Sequence, residues 1–368
     1  MTRPATRAVE VLVIGGGQAG LSMGERLRRT GRKFTILEAG DRVGHSWRSR
    51  WDSLRLFTPA RYAHLPGMPL PLPPWSYPGK DTIADYLEEY ASKLYLPVEV
   101  GTRVTALRRT GRGFSAETSA GPWEAAQVVV STGPFQAPSV PEVARNLSRN
   151  VAQLHSSGYQ RPAQLPDGTV LVVGGGNSGY QIALELAHSG RDVHLSRGQH
   201  NVSVPQRLLG RDLFWWQDVL GVLDIPGESR LGRRMRANDS TVIGLPLRRL
   251  TAAGVALHER VTRTEGESVR FADGTAVDVD AVVWATGFHT DFSWIQIPGA
   301  LDELGGPVHH RGVSTVPGLY FLGLPWLHTT GSALLGFVWR DAAHLAATIE
   351  ARCPPVDGRR TGTPSQFS

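Results

Sequence analysis

The chain has 368 residues, 41% of them hydrophobic and 20% charged, an ordinary globular mixture long enough for two domains. Its net charge is +6, but no basic motif is interleaved with aromatics, which argues against a nucleic-acid module, and no apolar run approaches the roughly 18 residues of a membrane span. The single cysteine, Cys353, excludes an internal disulfide and a Cys-x-x-Cys redox pair.

The first apolar run, Val11–Ile14 in "VLVIGGGQAGLSMGERL", is short and β-branched and ends in glycines. It reads as a buried parallel strand rather than a signal-peptide core, so a cytoplasmic location is expected. Gly15, Gly17 and Gly20 follow as G-x-G-x-x-G, the first for a tight turn, the second for close approach of a pyrophosphate, the third for helix packing. A helix ending at Gly31 and the strand "KFTIL" come next, and that strand ends at Glu38, 21 residues beyond Gly17. A carboxylate there accepts hydrogen bonds from ribose hydroxyls and repels a 2′-phosphate, so this cradle takes FAD or NAD(H), not NADP(H).

The device recurs. Strand "TVLVVG" leads into Gly174, Gly176 and Gly179, a helix stops at Gly190, and strand "DVHLS" ends at Ser196-Arg197. A hydroxyl and a guanidinium replace the acid, and a guanidinium fork suits a phosphate dianion, so NADPH is expected here. One bare glycine motif is weak evidence. Two, each between a strand and a helix and with opposite charge at the strand end, assign a flavin to one site and its reductant to the other. The basic stretches Gly227–Asp239 and Pro246–Leu250 read as solvated or interdomain faces, or as attraction for anionic NADPH.

"AAQVVVSTGPF" (Ala125–Phe135) and "VDAVVWATGF" (Val279–Phe288) flank the second cradle, each an apolar strand ending in Thr-Gly. They predict an α/β fold of two Rossmann-like domains, the NADPH domain inserted into the FAD domain. The expected boundaries are 1–155 and 286–352 for the FAD domain, 156–285 for the NADPH domain, and a disordered Pro/Gly/Arg/Ser-rich tail over 353–368.

With both cradles, "GHSWRSRWDSLRLFTPARYAHLPGMPLP" and "YPGKDTIADYLEEYASKL", the sequence resembles the class B flavoprotein monooxygenases over about residues 8–350, close to the flavin-containing monooxygenases and most like their YUCCA-type and CzcO-like branch. The resemblance implies bound FAD, NADPH as hydride donor, and O2 as oxidant. It implies a C4a-(hydro)peroxyflavin that carries out N- or S-oxygenation or the oxidative decarboxylation of a 2-oxo acid. It further implies FAD contacts from Gln18, Ala19, Ser46, Trp47, Thr132, Gly133 and Gly323, and NADPH contacts from Asn177, Ser178, Thr286 and Gly287. The family motif F-x-G-x-x-x-H-x-x-x-[Y/F] aligns with "RNVAQLHSSGY". His155 and Tyr159 match as supporting residues on an interdomain connection, while Arg149 and Val151 depart. Tyr159 favours the heteroatom-oxygenating or YUCCA-like branch over Baeyer–Villiger enzymes, which carry Trp there. Phe57-Thr58 stand where many members have an Asn beside the flavin.

The flavin carries the chemistry, so no Ser-His-Asp or metal constellation is expected, and the adjacent His309 and His310 diverge along a strand. Phe57, Trp215, Trp216 and Trp326 are the candidate pocket residues for a small apolar or aromatic substrate. A flavin-bearing NADPH oxidase or redox-sensing binding protein is the alternative. Substrate and O2 are the expected partners, with a homodimer left open.

Overall fold

The structure is a computed structural model describing residues 5–198, 202–237 and 241–352. Cys353, the expected tail over 353–368, and the end of the basic stretch Gly227–Asp239 lie outside the described residues.

The chain opens with β1 (Arg7–Ile14), α1 (Gln18–Arg29) and β2 (Phe34–Leu37), a strand–helix–strand unit with β1 and β2 parallel and Ile14 level with Leu37. Val11–Ile14 are buried because both faces of the sheet are covered, which explains their continuous rather than alternating apolarity. The short helix α2 (His45–Arg48) and the longer α3 (Lys80–Lys93) precede β3 (Val98–Glu99). An antiparallel meander, β4 (Val104–Thr110), β5 (Gly113–Thr118) and β6 (Trp123–Val130), brings the chain back beside β1. β1 thus lies between β2 and β6, so strand order reverses at its carboxyl end, the place where open α/β sheets bind ligands.

After β6 the chain runs through β7 (Ala137–Pro138) into β8 (Ala152–His155), β9 (Thr169–Val173), α4 (Asn177–His188) and β10 (Asp192–Ser196). A long excursion follows: β11 (Val202–Val204), a hairpin of β12 (Arg207–Leu208) and β13 (Arg211–Asp212), helices α5 (Leu213–Val219) and α6 (Arg230–Ala237), and β14 (Thr241–Ile243), which pairs with β11. Helix α7 (Leu247–Ala252) then leads to β15 (Ala256–His258). The meander β16 (Val261–Glu265), β17 (Ser268–Phe271) and β18 (Ala276–Asp278) precedes β19 (Ala281–Trp284). The second sheet is parallel throughout, ordered β15-β10-β9-β19-β8, and its own reversal point is the carboxyl end of β9.

The chain returns through β20 (Phe288–His289), which pairs with β7, so the outgoing and incoming connections cross side by side. The hairpin β21 (His309–His310) and β22 (Val313–Ser314), then β23 (Leu319–Phe321), complete the first sheet, and α8 (Trp339–Arg352) covers it beside α1. This is the expected insertion of one dinucleotide-binding unit into another. The strand Ala152–His155, allotted to the first unit by a boundary at 155, is an edge of the second sheet, paired with β19 from Ala281↔Ala152 to Trp284↔His155.

Candidate functional site: two cradles joined by a hinge

The two glycine turns repeat one geometry. Gly15 has φ +110° and Gly174 +133°, and a Cβ on either would press on a backbone carbonyl, that of Ser131 or of Ala285. At Gly20 and Gly179 a Cβ would collide with the carbonyl oxygens of Gly15 and Gly174, so each helix packs onto its strand only without a side chain. Gly17 and Gly176, the residues preceding α1 and α4, behave differently: a Cβ there meets nothing within 4 Å. Protein packing does not demand glycine at these two positions. The open space in front of each helix N-terminus fits a pyrophosphate against free backbone N–H groups.

The strand ends differ as their residues require. Both Glu38 oxygens are held by the first loop, Oε2 accepting from Gly16 N–H and Oε1 from Gly40 N–H, each at 2.7 Å. This locks a negative charge beside the cradle and leaves lone pairs for ribose hydroxyls. Ala19 is buried against Gly323, where φ is +78° and a Cβ would press on Ala19. Gln18 Oε1 faces the Trp47 indole N–H at 3.4 Å, and Ser46 lies exposed on the same one-turn helix. Thr132 and Gly133 follow β6 and are both tied to Gln136, whose Nε2 donates to Thr132 Oγ1 (2.9 Å) and to the Gly133 carbonyl (2.7 Å). The sequence reading missed Ser131, whose buried hydroxyl bridges the carbonyls of Ile14 and Gly15. A small polar residue before Thr-Gly was the available signal.

Around the second cradle, a cleft of about 270 Å³ is lined by Gly174, Ser196, Arg197, Arg260 and Thr286, among others. Two arginines therefore border it. Arg260 follows β15, and β15 lies parallel to β10 with His258 level with Ser196, so the two strands end side by side. Ser196 does not serve as the expected phosphate donor. It is buried, and its one proton goes to the Glu259 carbonyl at 2.7 Å. Asn177 also has a structural task, its Oδ1 accepting from Ile243 N–H at 3.1 Å and so holding the excursion strand β14 to α4. Ser178 lies half-buried in the first turn of α4.

His155 sits at the crossing. Its Nε2 lies 2.9 Å from the Gly287 carbonyl, and its Nδ1 faces the Ser157 N–H at 3.2 Å and hydroxyl at 2.9 Å. A neutral ring with the proton on Nε2 satisfies both sides. Burial lowers its pKa and favours that form. Gly287, at φ +86°, also accepts from Ser139 N–H at 3.0 Å, while Thr286 Oγ1 donates to the Ser139 carbonyl. The Phe288 ring meets His155 edge-on at 4.8 Å, and the Arg50 guanidinium lies 5.1 Å from Phe288 and 5.6 Å from Phe135. One cation from the first domain thus clamps both connections. Tyr159 is fully buried and donates to Glu185 Oε2 at 2.7 Å. The two departures from the family motif lie away from this crossing: Val151 packs into the core beneath β16–β18, and Arg149 is exposed.

Between the domains lies an aromatic cluster. Phe57 stacks on Phe214 at 6.1 Å, and Tyr62 meets Phe214, Phe337 and Trp75 at 6.2–6.3 Å. The excursion is fastened over it. Tyr77 donates to Asp212 (2.7 Å), Tyr62 to Asp218 (3.1 Å), and Gln206 Nε2 to the Phe57 carbonyl (2.9 Å). Burial, then the bond to Asp212, pushes the Tyr77 pKa up to about 12, so the phenol stays a donor. Of the expected pocket residues, Phe57 joins the cluster. Trp326, buried at φ +55°, packs against Gly227 of the excursion. Trp215 and Trp216 do not enter. Phe214 takes the inward face of α5, and its two neighbours are half-buried away from the cluster, where Trp216 Nε1 donates to the Leu208 carbonyl at 2.9 Å.

The profile of the family described as pyridine nucleotide-disulphide oxidoreductase matches residues 12–208. An uncharacterized CzcO-like oxidoreductase of Geobacillus kaustophilus is 46% identical over 342 residues, which is 93% of this chain and 98% of that protein. Indole-3-pyruvate monooxygenase YUCCA8 of Oryza sativa subsp. indica is 28% identical over 391 residues, covering 93% and 90%. The solved flavin-containing monooxygenase of Stenotrophomonas maltophilia superposes with a TM-score of 0.79 at 30% identity, over 95% of this chain and 100% of that one. The chain belongs to the pyridine nucleotide-disulphide oxidoreductase family, alongside the CzcO-like oxidoreductases and the flavin-containing monooxygenases, and it is a class B flavoprotein monooxygenase that uses FAD and NADPH.

Proposed function

We propose that this enzyme oxygenates a small apolar or aromatic organic substrate at the expense of NADPH and O2, by N- or S-oxygenation or by oxidative decarboxylation of a 2-oxo acid. The observation that carries the reading is the contrast between the cradles: a locked Glu38 carboxylate at one strand end, Arg197 and Arg260 around one cleft at the other. Gly15, Gly17, Gly20 and Glu38 hold FAD, which when bound supplies hydride acceptance and O2 activation. Gly174, Gly176 and Gly179 hold the NADPH pyrophosphate, and the two arginines read its 2′-phosphate. The clamp of Arg50 and His155 on the crossing connections sets how one cradle faces the other. The cluster of Phe57, Tyr62, Phe214 and Phe337 supplies an apolar, water-poor wall that suits an aryl or alkyl group.

The test is a substrate screen on the flavin-loaded enzyme that follows NADPH consumption and H2O2 release together. A true substrate lowers peroxide per NADPH consumed. Peroxide equal to NADPH consumption for every amine, sulfide and 2-oxo acid tried would identify an NADPH oxidase instead.

A further inference from the structure

Ten large hydrophobic side chains are exposed among the described residues, and five of them, Leu208, Leu209, Val219, Leu220 and Leu231, fall in the excursion. The hairpin β12–β13 turns through Leu209 and Gly210, with φ +50° and +75°. Two successive positive φ values make the tight primed turn of two-residue hairpins, where Asn, Asp or Gly is the favoured first residue. Here a leucine occupies that unfavourable position, and it is 83% exposed. The tip is braced from behind. Trp216 donates to the Leu208 carbonyl, Trp215 meets Trp216 edge-on at 4.8 Å, and Arg211 covers Trp215 at 5.1 Å. Val219 and Leu220 lie one helical turn beyond these tryptophans. The hairpin itself carries the exposed Arg207 and Arg211. The two acids of the hairpin and α5 are occupied elsewhere: Asp212 is buried and Asp218 accepts from Tyr62.

We propose that the Leu208–Leu209 hairpin tip, with α5 and the hairpin arginines Arg207 and Arg211, docks the enzyme onto an anionic lipid surface. Leucines that enter the acyl boundary, tryptophans at headgroup level and arginines facing anionic headgroups are the components of interfacial binding. A second copy of the chain is a poorer occupant, because a two-fold interface on this face would set arginine against arginine. Among the described residues no helix is long and apolar enough to cross a membrane, so the contact is peripheral.

The experiment is flotation of the flavin-loaded enzyme with phosphatidylcholine vesicles, with and without phosphatidylglycerol, at physiological ionic strength. The wild type floats with the phosphatidylglycerol vesicles only, and added salt weakens the binding. Leu209→Asn suits the turn better, so it keeps flavin content, thermal stability and NADPH oxidation in the absence of lipid. It binds vesicles about tenfold more weakly through loss of one inserted leucine. Arg211→Glu weakens binding in the same direction. The proposal is overturned if the wild type ignores phosphatidylglycerol vesicles, if it binds both vesicle types equally, or if Leu209→Asn floats like the wild type. Self-association in sedimentation velocity, lost in Leu209→Asn and without vesicle binding, would assign the face to a second copy instead.

Discussion

Arg197 and Arg260 reach one cleft from the ends of neighbouring parallel strands. A charge-assisted contact contributes about 1.5–3 kcal/mol, so Arg197→Ala should raise the NADPH Michaelis constant roughly 10- to 100-fold. Arg260→Ala should do the same to a similar degree, with NADH nearly unaffected by either change. Steady-state flavin reduction with both nucleotides decides this, and equal weakening of NADPH and NADH would remove the phosphate-reading role. Ser196→Ala is the control. Its hydroxyl is spent on Glu259, so the variant should lose stability and keep the NADPH/NADH ratio. Glu38→Ala belongs to the other cradle: it should lose FAD on gel filtration while the nucleotide ratio stays unchanged.

At the scale of the strand–turn–helix element, glycine serves two purposes that mutation can separate. Gly17→Ala adds a methyl into open space, so the apoprotein should melt near the wild-type temperature and bind FAD poorly. Gly20→Ala forces a methyl against the Gly15 carbonyl, so it should destabilise the apoprotein itself, by roughly the 1–3 kcal/mol of an overpacked core. Differential scanning fluorimetry with and without added FAD distinguishes them. Equal apoprotein melting temperatures for the two variants would show that neither glycine is required by packing.

For the whole molecule, what matters is how the two domains are held. Trp51, in the first domain's sequence, is buried in the second domain's core with Tyr159, Tyr180 and Leu184. Trp51→Ala should cost about 3–5 kcal/mol and uncouple the domains in thermal unfolding, giving two transitions where the wild type gives one. The pH dependence has a defined sign. Burial lowers the pKa values of His155, His258, His309, His328 and His344, so the folded chain takes up these protons at lower pH than the unfolded chain. Stability is therefore complete above the ordinary histidine pKa of about 6.5 and is lost as pH falls through the folded values. A melting temperature that falls on acidification, and falls less steeply in His155→Gln, is the expected result. A flat profile would contradict it.

What the sequence by itself determined was everything governed by short chain distance. A positive φ at Gly15, a helix that touches its own strand at Gly20, and a strand end that presents Glu38 or Arg197 all follow from backbone geometry within some twenty residues. Both cradles and their opposite charges were legible for that reason, and the insertion was legible because two Thr-Gly strand ends, in Ala125–Phe135 and Val279–Phe288, flank the second cradle. Tertiary structure alone decided the rest. Arg260 joins Arg197 only because β15 pairs with β10, and the strand at Ala152–His155 changes sheets because β19 is its neighbour. Ser196 lines the cleft, but its hydroxyl is spent on the Glu259 carbonyl just past β15. Three consecutive aromatics cannot be sorted by pattern. Phe214 faces inward while Trp215 and Trp216 stay half-buried outside the cluster, with α5 held by its Asp212 cap, which Tyr77, far away in the chain, fixes in turn. Contacts of that kind depend on where separate segments meet, and no local periodicity records it.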